Sequence, residues 1–241
     1  ITPRTRFALI DHVTSPTALV LPLDRIVATL AARGVAIAVD GAHAPGQVEL
    51  DVGALLAAGV TWYAGNNHKW LCAPKGTGFL VTTTHVHPLV TSHGASPEYG
   101  PPNRLHAELD WAGTYDPAPQ LAAPAAIAAV AELGGGWPQI RARNHALAVE
   151  LAARLRDALG AGPLAPDAHL RSMAARPIAL PPGTTAVALE AQLLRDGWDV
   201  SIVDFANGPL VRVSAHLYNH AGEADAVAAK LHALGVRGRR I

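Results

Sequence analysis

The chain's 241 residues, 50% of them hydrophobic, suffice to bury a sizeable core in one large domain or one and a half, and they exclude a disordered chain. Lysine plus arginine balances aspartate plus glutamate at 19 each, so no basic field gathers a nucleic acid or a membrane surface; small molecules or other proteins are the expected partners. One cysteine, Cys72, excludes an intramolecular disulfide framework, and no apolar run reaches the roughly 18 to 20 residues that span a bilayer, so the cytoplasm is the expected location.

"RTRFALID" (4–11) places a core strand almost at the first residue, its apolar "FALI" suited to a strand covered on both faces. With no helix or loop to introduce it, the expectation is a fold that lacks its N-terminal part. Beyond the Pro16 turn, Leu23, Ile26, Val27 and Leu30 recur at helical spacing from Pro22, and Gly34 ends that helix. "VAIAV" (35–39) reads as a second buried strand, "DVGALLAAG" (51–59) as a short helix and "VTWYAG" (60–65) as a third strand. This alternation with short connections predicts right-handed parallel crossovers in an α/β sheet, with ligands beyond the carboxyl ends of the strands.

"GTGFLV" (76–81) adds a strand, and the proline-rich stretch from Pro88 to Pro119 shows little periodicity, which predicts a functional segment or an interface. Helices are predicted near Gln120 to Leu133 and from Trp137 to Leu159, the second with Pro138 near its first turn. "ARPIAL" (175–180), a helix at 184–196, "WDVSIV" (198–203), "PLVRVSA" (209–215) and a last helix at 222–234 then make a small α+β unit. The expected division is a large domain over 1–133, then a linking helix and a small C-terminal domain over 134–241.

The three early strands end in "DHVTS", "DGAH" and "GNNHK", which brings Asp11, His12, Ser15, Asp40, His43, Asn66, His68 and Lys69 toward one edge of the sheet. Strand ends are wet, and polar residues collect there without a task; three such ends in succession favour a site. Pyridoxal phosphate gives these residues a common purpose. Its aldehyde needs a lysine for a Schiff base, and its ring nitrogen needs a carboxylate to stay protonated and draw electrons. Lys69 and Asp40 are the right types on neighbouring strand ends. His43 reads equally well as a cofactor contact or a structural hydrogen bond, and His68 and Asn66 are candidate phosphate donors.

"AIAVDGAHAPGQVELDV", followed about 25 residues later by "GNNHKW", resembles the class V aminotransferase-like group of fold-type-I pyridoxal phosphate enzymes, and within it the isopenicillin N epimerase-like branch. The resemblance covers essentially the whole chain. It implies an aspartate aminotransferase-like fold: a truncated large domain with a mainly parallel sheet and a small C-terminal α+β domain. It also implies a homodimer and an amino acid substrate. By the matching motifs, Asp40 is the partner of the pyridine nitrogen, Lys69 the Schiff-base lysine, His68 a phosphate contact and His43 the neighbour of the phenolic oxygen. "HVTSPT" matches a segment where sulfur-removing relatives often place an asparagine; the equivalent here is Ser15. "WAGTYDPAP" makes Thr114 the candidate that reaches a partner's phosphate, against the alternative of a local cap. "VRVSAHLYN" assigns the substrate carboxylate to Arg212, against the alternative of an exposed strand arginine.

His85 and His87 lack an accompanying carboxylate or cysteine, so no metal is expected. "GTG" at 76–78 lacks the spacing of a dinucleotide or phosphate loop. Cys72 follows Lys69 too closely to be the mobile nucleophile of a cysteine desulfurase. The expected activity is therefore epimerase, C–S lyase or aminotransferase chemistry on an amino acid, with Lys69 as base and Asp40 sustaining the electron sink. The rival expectation is a non-catalytic remnant that acts as a binding or dimerisation module.

Overall fold

A computed structural model of the chain describes residues 1–84, 86, 106, 109 and 113–240. Two four-stranded sheets organise it. The first runs in the order β1 (Phe7–Asp11), β2 (Ala36–Gly41), β3 (Trp62–Asn66) and β4 (Gly78–Thr82). β1, β2 and β3 are parallel and β4 returns antiparallel to β3, so three carboxyl ends lie along one edge. α1 (Leu23–Ala31) and α2 (Val52–Ala57) supply the two crossovers. α1 buries Leu23, Val27 and Leu30 from one stripe, and α2 starts where the Asp51 side chain accepts a hydrogen bond from Ala54 N–H at 2.9 Å.

α3 (Ala118–Leu133) and α4 (Trp137–Leu159) follow, the latter with Pro138 in its first turn, where a missing N–H costs nothing. The second sheet has the order β6 (Ser201–Val203), β7 (Leu210–Ser214), β5 (Met173–Ala179) and β8 (Arg237–Gly238), antiparallel throughout. α4, α5 (Ala186–Arg195) and α6 (Gly222–Ala233) pack their apolar faces on it through Leu151, Leu155, Leu189, Leu193, Val227 and Leu231. The core of the first sheet, around Val27, Ile37, Val39 and Tyr63, also takes in Met173, Ala175 and Leu210 from the second. The two sheets are thereby fastened along the edge where the early strands end.

One expectation is corrected. β1 is not covered on both faces: Ala8 and Ile10 pack against the first core, while Phe7 is 53% and Leu9 67% exposed. The same face carries Ala36 and Ala38 of β2, paired directly with those residues, and Leu80 of β4, which is 45% exposed. Helices lie against the opposite face, so an apolar run sized for two covered faces is covered on one. The proline-rich segment falls largely outside the described residues, as do His85 and His87. No helix among the described residues is long and apolar enough to cross a membrane.

Candidate active site

Register sets the site. Asp11 lies opposite Asp40 on β1 and β2, and Gly41 lies opposite Gly65 on β2 and β3. The glycine after Asp40 is demanded by close approach: a Cβ on Gly41 would sit 2.3 Å from the ring and hydroxyl of Tyr63, a side chain with no exposed surface. Tyr63 in turn meets His12, hydroxyl to Nδ1 at 3.0 Å. The backbone at Asp40 is thus seated on a buried phenol. Its own Oδ1 accepts from Ala42 N–H at 2.9 Å, which turns the chain toward His43.

His43 is 9% exposed and held from three sides. Its carbonyl accepts from Gln47 Nε2 at 2.7 Å, its Nδ1 accepts from Trp70 Nε1–H at 3.3 Å, and its Nε2 lies 3.2 Å from Lys69 Nζ. Burial lowers the imidazole to about 4, the Lys69 and Arg212 charges add to the effect, and Asp40 opposes it. His43 is therefore neutral at pH 7. Burial also lowers Lys69 from its ordinary value, with Asp40 opposing and Arg212 reinforcing. An amine in this position gives up its proton more readily than a surface lysine does, which makes it a better nucleophile and base.

Arg212 reaches this cluster from β7. Its Nη1 donates to the Ser15 carbonyl at 2.8 Å and to Ser15 Oγ at 3.0 Å, and its Nη2 donates to Ser201 Oγ at 3.0 Å. Its Nε is buried with no partner among the described residues, and burial lowers the guanidinium from its ordinary value while Glu190 opposes. A cavity of about 490 Å³ lies on the second-sheet side of Arg212, bordered also by Ser201, Trp198 and Tyr218; Asp40, His43 and Lys69 do not line it.

Asp40, His43, Lys69, Arg212 and Ser15 are thus neighbours. Ser15 accepts from Arg212 at its hydroxyl oxygen, which leaves its O–H free to donate. His68 turns Nδ1 to the Thr77 carbonyl at 2.8 Å, Asn66 is half-buried at the end of β3, and Thr114 is exposed. Among the described residues Thr114 makes no hydrogen bond to the cluster. Sequence reasoning missed Trp70, Gln47 and His216. Trp70 stands beside Lys69 in "HKW" and was legible as a neighbour. Gln47 accepts from Ser172 N–H at 2.9 Å, and His216 Nε2 donates to the Trp70 carbonyl at 3.1 Å; no local pattern announces contacts across that much chain.

Comparison with known proteins places this arrangement. The family profile of aminotransferase class V matches residues 1–227. The chain belongs to the aminotransferase class-V family. Isopenicillin N epimerase of Amycolatopsis lactamdurans is 39% identical over 247 residues, an alignment that covers 96% of this chain and 61% of the epimerase. The Streptomyces clavuligerus isopenicillin N epimerase is 37% identical over 251 residues, with the same coverage of 96% and 61%. A putative L-cysteine desulfhydrase 1 of Oryza sativa subsp. japonica is 37% identical over 164 residues, 65% of this chain and 32% of that protein. Among solved structures, the cysteine desulfurase of Thermococcus onnurineus NA1 has a TM-score of 0.70 at 19% identity, covering 95% of this chain and 60% of that one. The cystine C–S lyase C-DES has a TM-score of 0.71 at 22% identity, covering 96% and 62%. Those likenesses establish the fold, as the sequence resemblance implied. The class-V chain spans about 61% of the epimerases it matches. Pyridoxal 5′-phosphate is the cofactor of this family, and in one C-DES structure glycine is covalently linked to it.

Proposed function

We propose that this class-V chain is a pyridoxal phosphate-dependent enzyme acting on an amino acid, with isopenicillin N epimerase-like, C–S lyase-like or aminotransferase chemistry. The observation that carries the reading is the desolvated Lys69 amine, 3.2 Å from a neutral imidazole and within the field of Asp40 at the end of the neighbouring strand. The donor set fits the cofactor: an amine of lowered proton affinity for its aldehyde, a carboxylate for its ring nitrogen and a buried guanidinium beside a cavity. Lys69, Asp40 and His43 would hold it, with His68 and Asn66 toward its phosphate.

When bound, the cofactor supplies an electron-withdrawing ring that stabilises negative charge at the substrate α-carbon. Arg212 binds the substrate carboxylate and fixes the α-carbon relative to Lys69. Lys69 Nζ, with the α-carbon so placed, would accept its proton. Asp40 holds a negative charge where the ring nitrogen needs one. Ser201 keeps the Arg212 fork oriented, and a homodimer with Thr114 at the partner's site completes the proposed assembly. The alternative, a binding or dimerisation module without turnover, remains in the test. Incubation with pyridoxal phosphate and then borohydride should fix the cofactor on the peptide "NNHKW", and Lys69→Ala should abolish the label. Label on Lys75 or Lys230 overturns the assignment, and a colourless protein that takes up no cofactor supports the module.

A further inference from the structure

We propose that Trp70 is a positioning residue that sets the tautomer of His43 and thereby holds Lys69 as a neutral amine before any cofactor arrives. The inference rests on the reading of Lys69 as the cofactor-bearing lysine and deepens it.

Four nitrogens on three side chains stand in a row: Trp70 Nε1, His43 Nδ1 and Nε2, and Lys69 Nζ. An indole N–H can only donate. At 3.3 Å from His43 Nδ1, the Trp70 Nε1–H therefore requires a lone pair on that nitrogen. A neutral imidazole with an unprotonated Nδ1 carries its proton on Nε2. That Nε2–H points at Lys69 Nζ, 3.2 Å away, and the contact is a hydrogen bond only when the amine offers a lone pair. An ammonium there would set two donors against each other. Protonating His43 instead would set Nδ1–H against the indole N–H. One donor fixed at the far end thus dictates the proton inventory of the two groups nearer the chemistry.

Trp70 is fit to be that fixed end. It is 8% exposed, its carbonyl accepts from His216 Nε2 at 3.1 Å, and its ring stacks on the His216 ring at 6.3 Å with 19° between planes. From the other side Gly46, at φ +86, packs so close that a Cβ there would lie 3.0 Å from Trp70 Cβ. The His43 backbone is pinned by Gln47 at its carbonyl, the ring is buried, and the Trp70 N–H engages its Nδ1. The charged groups that bear on Lys69 are Asp40, which favours the ammonium, and Arg212, which opposes it. The relay acts with Arg212 and against Asp40. A neutral amine is the form that attacks an aldehyde, so the relay governs how fast the chain captures its cofactor.

The test is the rate at which the unliganded chain takes up pyridoxal phosphate, followed by visible absorbance across pH 6 to 10. Trp70→Phe keeps the aromatic bulk and removes the N–H. The expected result is a rate profile displaced upward by about one pH unit, with a loss that approaches tenfold below the unmodified chain's midpoint and rates that converge above the variant's midpoint. A structural defect alone would lower the plateau without moving the midpoint. Nitrogen NMR of the unmodified chain gives a second measurement that needs no variant: His43 should show a proton on Nε2 and none on Nδ1. The opposite tautomer, or a superimposable Trp70→Phe profile with borohydride label still on Lys69, overturns the inference alone. Label on another lysine overturns it together with the functional reading.

Discussion

His43 carries a consequence for acid stability. Its ordinary value of 6.5 falls to about 4 in the folded chain, so between those values the unfolded chain binds the extra proton. Stability is full above pH 6.5, declines as pH drops toward 4 and levels off below, a loss of roughly 3 kcal/mol in all. Urea unfolding at pH 7 and pH 4.5 should show most of that loss, and His43→Asn should keep only the part owed to other groups such as His12, which burial also lowers. An equal acid loss in the variant removes His43 from the account. For Asp40, exposed in this chain, Asp40→Asn should retain cofactor yet lose most turnover, since a neutral amide supplies no charge for the ring nitrogen. Arg212→Ala should weaken amino acid binding and leave the cofactor spectrum intact; amines without a carboxylate binding equally well to the unmodified protein would remove the clamp. The residue types at the strand ends were legible because chemistry restricts them. The contacts among them were not: Arg212 donates to Ser15, a residue far from it in sequence, and no local pattern announces that.

Among elements, the strands and helices of the sequence reading recur with shifts at their ends. β2 runs on to Gly41, two residues past the apolar run, because ladder pairing with β3 continues through Asp40 and Gly41. Hydrophobic pattern reports apolar side chains, not pairing, so it stops at Val39 although Gly41 is buried as well. β8, two residues long, has no apolar period and was invisible for that reason. The end of β2 also tolerates little. Gly41→Ala would drive its Cβ into Tyr63, and since that ring is fully buried, overpacking of this kind costs about 1 to 3 kcal/mol. Thermal unfolding should show the loss, and Tyr63→Phe in the same chain should leave most of it, because the ring carbons clash as well as the hydroxyl. Full recovery with Phe would instead make the hydroxyl the obstacle.

For the whole molecule, one face of the first sheet presents Phe7, Leu9 and Leu80 to solvent. Parallel sheets are ordinarily covered on both sides, and exposed apolar patches of this kind mark association sites. The chain should self-associate at micromolar concentration, and Leu9→Lys with Leu80→Lys should shift it toward monomer in light scattering. A strictly monomeric unmodified chain would show that the face is tolerated in water. Sequence alone gave the strand its apolar residues but not the number of layers against it, because covering is a property of the neighbours. The overall fold was legible through motif spacing, which packs three strand ends into one readable line.

The joint between the two sheets has a consequence for exchange of parts. Gln47 meets Ser172 through its main-chain N–H, and Arg212 meets Ser15 partly through its main-chain carbonyl. Each half therefore grips the other's backbone at these points, and a backbone is common to all side chains. Recombining the second sheet of this chain with the first sheet of a relative would keep both grips so long as the donor halves carry the glutamine and the arginine. The side chains that must be inherited with them are Met173, Ala175 and Leu210, which enter the first core, and His216, which meets the Trp70 carbonyl; the cavity wall around Trp198 and Tyr218 lies outside these contacts and can vary without renegotiating how the halves meet.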